Sequence, residues 1–212
     1  MTNWIKAALC LALIACAFLF LVAASCTIGP GQSESITLRV PFRTQEQWDY
    51  CGAASVLMCR LYFRQSEVPQ REIYTWMGGS GAGLSPDAIR NGVDYYAGLS
   101  DAIVDWGAED PVESQREYFA RQIASIDANT PVISIVEGGF HAGVIDGGTW
   151  TRDAQTNLNV WNDVYFHDPK GFPDRSYSSA PWMSYATGGY NTYTQVISQS
   201  ATYNWQSAYA DF

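Results

Sequence analysis

The chain is short of histidine, of positive charge and of cysteine outside its first segment. Two histidines, His141 and His167, occur in 212 residues. With the cysteines downstream also lacking close ligand spacing, they make no zinc site, and neither a metal nor a cofactor is expected. Lys and Arg number 12 against 21 Asp and Glu, a formal net charge of −9. Such a surface repels a phosphate backbone, which argues against nucleic acid as a partner. No internal repeat and no second linker can be found. The stretch Gly78 to Gly83 is glycine-rich, but no Lys-Ser or Lys-Thr follows it, so it is no phosphate loop.

Of five cysteines, Cys10, Cys16 and Cys26 fall in or at the end of the N-terminal segment. That leaves Cys51 and Cys59. On one helix they would stand about 12 Å apart at ~1.5 Å rise per residue, whereas a disulfide needs Cα atoms within about 7 Å. No disulfide framework is expected, and a leftover thiol in an exported chain is a candidate reactive group.

The N-terminal segment reads as a targeting signal. Lys6 supplies the positive charge, Ala7 to Ala24 is unbroken apolar sequence, and Ala23-Ala-Ser-Cys26 is similar to a bacterial lipobox. Lipidation of Cys26 would tether the mature chain to a membrane. An uncleaved signal anchor and ordinary signal-peptidase cleavage are the alternatives, and all three export the rest. The organisation expected is a targeting segment over 1–26, a Gly- and Ser-containing flexible tether over 27–35, and one domain over 36–212, read as a monomer.

Apolar residues make up 47% of the chain, enough for a proper core in a domain of this length. Aromatics reach 14%, which core packing explains better than a ligand-lined groove. Ile36 to Phe42 is a short extended lead-in. Cys51 to Arg64 carries apolar residues at helical spacing, Pro69 to Met77 is a second helix, and Ser85-Pro86-Asp87 opens a third that stops at Gly98. Val112 to Ile126 is a fourth. The period then changes. Val132 to Val136, His141 to Ile145 (closed by Asp146-Gly-Gly148) and Asn159 to Phe166 read as strands, the last alternating with Val160, Asn162, Val164 and Phe166 on one face and Trp161, Asp163, Tyr165 and His167 on the other. Lys170 to Pro181 reads as turns, and Val196-Ile197 as a last strand in an otherwise unassigned aromatic tail. Helices first and an antiparallel sheet after them make an α+β fold.

Within that frame Cys51 stands out. At the first turn of its helix it feels the positive end of the helix dipole, which favours a thiolate; the alternative is a buried structural thiol, the role that suits Cys59 better. His141 starts a strand after Gly138-Gly139, and a hairpin would let it meet Asp168 across a strand pair. Asp168 could then orient the ring and stabilise an imidazolium. His167 is the rival base. Strand neighbours point to opposite faces, so if Asp168 faces the site His167 faces away. An oxyanion needs a donor beside Cys51, for which Gln45 and Gln47 compete. Asp49 is expected to be a local cap.

These residues, in the order Gln45, Cys51, His141, Asp168, resemble papain-like cysteine peptidases. The closer likeness is to the branch of bacteriocin-processing peptidases that cut double-glycine leaders, and to their stand-alone secreted relatives. Val40-Pro41, Cys51-Gly52-Ala53-Ala54-Ser55, Gly83-Leu84-Ser85-Pro86, Pro131-Val132-Ile133 before His141, and Asp168-Pro169 match that branch over roughly Val40 to Lys170. The spacing in the branch selects Gln45 over Gln47. No nucleotide-binding domain follows, so the exporting role of transporter-linked members is not carried over. The resemblance implies hydrolysis of a peptide or isopeptide bond in a peptide or protein substrate, through an acyl-thioester on Cys51 with His141 as base. The alternatives are a thioester-forming transpeptidase or amidase, and a non-catalytic surface-tethered binding protein on the same scaffold.

Overall fold

In a computed structural model the described residues are 31–107, 113–187 and 193–198. The targeting segment, its lipobox-like cysteine and residues 27–30 of the proposed tether lie outside them. No helix among the described residues is long and apolar enough to cross a membrane.

The first half is helical because its apolar residues recur every three to four positions. Helix α1 (Cys51–Arg64) buries Ala53, Ala54, Val56, Leu57, Met58 and Cys59 and closes with Gln65 in a left-handed conformation. Helix α2 (Gln70–Trp76) begins after Pro69. Helix α3 (Pro86–Gly92) is capped by the Ser85 hydroxyl, which accepts the Ala88 N–H, and has Asp87 in its first turn. It widens into a π-helical turn over Val93–Ala97 that ends at Gly98. Helix α4 (Glu113–Asp127) follows strand β2 (Ala102–Gly107), which the sequence pattern did not reveal.

The strands form a single antiparallel sheet, most of it from the second half of the chain. Its strands are β1 (Ser33–Thr37), β2, β3 (Val132–Val136), β4 (His141–Arg152), β5 (Asn159–Asp168), β6 (Phe172–Ser178) and β7 (Tyr193–Ser198). They lie in the order β2-β7-β3-β4-β5-β6, with β1 on β4. Helix α5 (Ser179–Thr187) packs on β3, β5 and β6. Helix α1 lies on β4, and α4 lies across β5, β4 and the β2–β7 edge. Trp150, Trp161, Trp182 and Phe166 are fully buried, so the large rings serve packing. Trp161 Nε1 donates to Gln122 Oε1 at 3.0 Å, satisfying two polar groups in the core.

Four expectations change. The tether does not run to Ser35, because Ser33, Glu34 and Ser35 pair with Thr151, Trp150 and Thr149. Strand β4 does not close at Asp146-Gly-Gly148 but continues to Arg152. The pairing with β5 slips between Ile145 and Gly147, and there β1 replaces β3 as the neighbour. Gly147 is required by that crossing, since a Cβ would stand 2.2 Å from the Ile36 carbonyl oxygen. A second slip, between Thr149 and Trp150, leaves Asn162 as an extra residue and breaks the simple alternation of β5, so both Trp161 and Val164 are buried. Part of the turn-rich stretch is strand β6, whose mostly exposed residues pair with β5 at the sheet edge.

The slip at Asp146 buries its carboxyl. One oxygen has no partner among the described residues and the other is 3.5 Å from His167 Nε2. Burial pushes the Asp146 carboxyl up to about 6, against the pull of His167 and with the help of Asp174. A carboxyl raised on folding stabilises the fold below its unfolded value, about 3.9, and that contribution is lost as pH rises through the folded value. Asp146→Asn is therefore expected to stabilise the full chain at pH 7.5 by about 1 kcal/mol, roughly 2–4 °C in melting temperature. The gain should vanish near pH 4. Thermal unfolding across that range checks it, and a lower midpoint for the variant at neutral pH would mean the His167 contact outweighs desolvation.

Candidate active site

Three elements meet at Cys51. Its helix starts abruptly after Tyr50, with no side chain capping the α1 N-terminus. Early amides of such a helix have no intrahelical partner, and they attract negative charge. The expected cap, Asp49, instead turns under the loop and accepts the Tyr74 hydroxyl at 2.5 Å.

The second element is the β3–β4 hairpin. Its connection, Glu137–Gly139, is a short 3-10 turn with Gly138 and Gly139 at positive φ, and Val136 pairs with His141. The third is the end of β5. Pairing of β4 with β5 sets Val144 against His167 and so brings Asp168 diagonally to His141. His141 Nε2 lies 2.8 Å from Asp168 Oδ1, with both residues almost wholly buried. The other ring nitrogen, Nδ1, is left for the thiol, and the interaction between Cys51 and His141 favours charge on both.

Asp168 is held on every side. Oδ1 also accepts the Lys170 backbone N–H at 2.9 Å, and Oδ2 accepts Arg175 Nη1 at 3.0 Å. Arg175 in turn lies over the Phe172 ring, 4.4 Å from its centre. The sequence reading did not pick out Arg175. Its position seven residues past an aspartate at a strand end was the available signal, but only the β5–β6 pairing turns it back.

Burial opposes ionisation of Cys51. The hydrogen bond and charge of His141, with the amides of Ala142 and Gly52, outweigh it and hold the thiol below its ordinary value. Burial likewise opposes charge on His141, but Asp168 and Cys51 raise its imidazole above the ordinary value. Asp168, despite burial, is held low by His141 and the Lys170 amide. A thiol lowered beside an imidazole raised is the condition for a thiolate–imidazolium pair. Cys59 is the opposite case, free and buried in the same helix, with burial pushing its thiol to about 12.

A cleft of about 170 Å³ opens on the thiol, walled by Gly83, Leu84 and Ile89 on one side and by Ile135, Phe140 and Ala142 on the other. Trp48 and Phe140 stand on its rim, 77% and 81% exposed.

Gln45 is not turned into that cleft. Its amide nitrogen donates to the carbonyls of Gln47 (2.9 Å) and Trp48 (2.8 Å), so both N–H bonds brace the turn ahead of α1. Its backbone N–H donates to the Pro169 carbonyl at 2.8 Å, tying that turn to the loop after Asp168. Gln47 is exposed and lines no part of the cleft.

His167 faces away from Cys51. Its Nε2 lies 3.1 Å from the Val40 carbonyl, and its Nδ1 accepts the Asp174 N–H at 3.2 Å. Asp146, His167 and Asp174 bring ligand-type atoms within 4.8 Å of one another. With Nδ1 accepting an amide and Nε2 donating to a carbonyl, neither ring nitrogen offers a lone pair to a cation, so the group does not suit a metal.

A family model described as the Peptidase_C39 like family matches residues 37–205. No curated protein matches the chain. Among solved structures, the chain is similar to a double glycine motif protease from an AMS/PCAT transporter in complex with the leader peptide. Identity is 16%, the TM-score 0.50, and the match covers 77% of this chain and 94% of that one. A putative C39-like peptidase from Bacillus anthracis is 15% identical with a TM-score of 0.49, covering 78% and 98%. The peptidase domain of Streptococcus ComA, a bi-functional ABC transporter, is 14% identical with a TM-score of 0.45, covering 76% and 100%. The first of these likenesses shows the fold.

Iodoacetamide is expected to label Cys51 with an apparent pKa below the free-thiol value of about 8.5, and to leave Cys59 unlabelled in the folded chain. His141→Ala should move that midpoint up and slow labelling at pH 6 by about tenfold or more. Mass spectrometry of the labelled full chain over pH 5–10 measures both. Equal, slow labelling of the two thiols would show that Cys51 is not activated.

Proposed function

The chain belongs to the Peptidase_C39 like family, and from that premise we propose that it is an active cysteine peptidase. It hydrolyses a peptide or isopeptide bond with Cys51 as nucleophile, His141 as acid and base, and Asp168 as the residue that holds His141. The observation that carries this reading is the run from half-buried Cys51 through buried His141 to buried Asp168, with a 2.8 Å bond at its far end and a cleft at its near end.

In the reaction, the Cys51 thiolate attacks the carbonyl carbon of the scissile bond and its electron pair forms the C–S bond. The carbonyl π pair moves to oxygen. That oxyanion forms at the uncapped start of α1, where backbone amides provide the stabilising field. His141 gives its Nδ1 proton to the leaving nitrogen as the C–N bond breaks, leaving an acyl-thioester on Cys51. Water then attacks the thioester, His141 takes its proton, and the C–S bond breaks to release the acid and the thiolate. Asp168 stays ionised throughout and stabilises the imidazolium. Gln45 enters as the brace of the nucleophile turn. Its amide reaches a developing oxyanion only by releasing Gln47 or Trp48.

Substrate is taken as an extended peptide along the cleft, and the apolar N-terminal run followed by Cys26 supports a domain exported and tethered at a membrane surface. The full chain incubated with a denatured protein substrate should release new amino termini. Cys51→Ala and His141→Ala should each lower the rate by about a thousandfold or more. Acid quenching during turnover should trap an acyl adduct on Cys51 by mass. An added primary amine appearing in the product would identify a transpeptidase. Failure of the unsubstituted chain to form any adduct would favour the binding-protein alternative.

A further inference from the structure

The cleft wall opposite His141 is built from a segment with no regular structure of its own. Residues 78–85 connect α2 to α3 without helix or strand, yet Ala82, Gly83 and Leu84 line the cleft. What holds them is a side chain from α2.

Tyr74 is 5% exposed, and its hydroxyl is the meeting point of two loops. It donates to Asp49 Oδ2 at 2.5 Å. It accepts the Gly81 N–H at 2.8 Å. The hydroxyl thus donates to one loop and accepts from the other. The ring stacks on Tyr50 with centroids 4.4 Å apart, and Tyr50 is the residue immediately before Cys51. The chain also closes over the ring's edge. A Cβ on Gly79 would stand 2.3 Å from the Tyr74 ring, so the backbone passes there only as glycine.

These contacts run from the nucleophile turn to the far wall of the cleft. Asp49 and Tyr50 belong to the turn that presents Cys51, while Gly81 and Gly83 flank Ala82 on the wall. Asp49 itself is buried and lines the cleft, so its carboxylate needs a donor, and the Tyr74 hydroxyl is the one it has among the hydrogen bonds described. A wall of small residues has little side-chain packing to keep its distance from the thiol. It offers an extended substrate mainly backbone, which binds by main-chain hydrogen bonds and is sensitive to small displacements.

We propose that Tyr74 is a positioning residue that straps the glycine-rich wall to the nucleophile turn and so sets the grip of the cleft on an extended peptide, without touching the reacting atoms. The inference rests on the peptidase reading above and adds to it the residue that controls substrate engagement.

The test uses the full chain and two probes of Cys51: iodoacetamide, which needs only the thiol, and a tripeptidyl acyloxymethyl ketone, which must also occupy the cleft. Tyr74→Phe is expected to weaken saturation by the peptidyl probe about tenfold, the effect of about one lost hydrogen bond to a charged partner. Its maximal inactivation rate, and the iodoacetamide rate, should change by no more than about twofold. Asp49→Asn keeps an acceptor for the hydroxyl and should stay near the unsubstituted chain, whereas Asp49→Ala should behave like Tyr74→Phe. Hydrogen exchange supplies a readout independent of chemistry, since the amide of Gly81 should exchange faster in Tyr74→Phe. Unchanged exchange, or equal loss with both probes, overturns the strap. Slow iodoacetamide labelling of the unsubstituted chain, indifferent to His141→Ala, overturns the peptidase reading instead, and the strap is then judged on exchange alone.

Discussion

The register between β4 and β5 is the constraint from which the rest of the site follows. With Val144 opposite His167, Asp168 falls beside His141 and the other histidine is carried to the opposite face. A slip of one residue would exchange the faces of the whole strand, turning His167 inward and Asp168 out. The register is secured on both sides of the sheet. Val144, Ile145, Val164 and Phe166 are all buried, so any slip would drive several apolar side chains into water. The His167 contacts to Val40 and Asp174 hold the outward face in turn. The second histidine thus locks the arrangement that presents the first.

The electrostatics of the cleft depend on that arrangement. An isolated thiolate in so buried a place would be costly, and burial alone drives Cys59 far in the neutral direction on the same helix. Cys51 differs by position rather than by chemistry. It stands at the helix start, where amides converge, and at the end of a chain of opposite charges running through His141 and Asp168 to Arg175. Arg175 is partly exposed and leans on Phe172, so the chain ends in solvent rather than in an unpaired buried charge. The asymmetry between two thiols eight residues apart is the clearest physical sign of a site in this molecule.

Much of this was legible in the residues. The apolar spacing of Cys51 to Arg64, the Ser85-Pro86-Asp87 start and the apolar run Val132 to Val136 each report a local preference that the fold keeps. The likeness carried by Cys51-Gly52, His141 and Asp168-Pro169 named residues that the fold brings into one chain of contacts. Less visible were β2 and β6. Neither has a strong alternation, and Phe172 to Ser178 contains Pro, Asp and Ser, so it is a strand because an edge of β5 was available to pair with it. The glycines after Asp146 read as a turn because glycine is the usual turn residue, whereas here Gly147 answers a backbone crossing. Asp49 was placed by a local rule, as a cap, and Gln45 by the spacing of the family likeness, as an oxyanion donor. Their partners turned out to be a tyrosine 25 residues away and two carbonyls of the same turn.

By itself, the sequence determined the class of fold, the placement of most of its helices and several of its strands, and the candidate residues for thiol chemistry. Periodicity and helix-start signals are properties of short stretches, and so can be read without the rest of the chain. The tertiary structure decided which histidine faces the thiol, where the two carboxylates Asp49 and Asp168 find their donors, and how the glycine-rich wall is held against the nucleophile turn. Those contacts join Asp49 to Tyr74 across 25 residues, His141 to Asp168 across 27 and Cys51 to His141 across 90, between groups whose local sequence carries no record of each other. Only the closing of the sheet and the packing of α1 and α2 beside it bring them within a hydrogen bond.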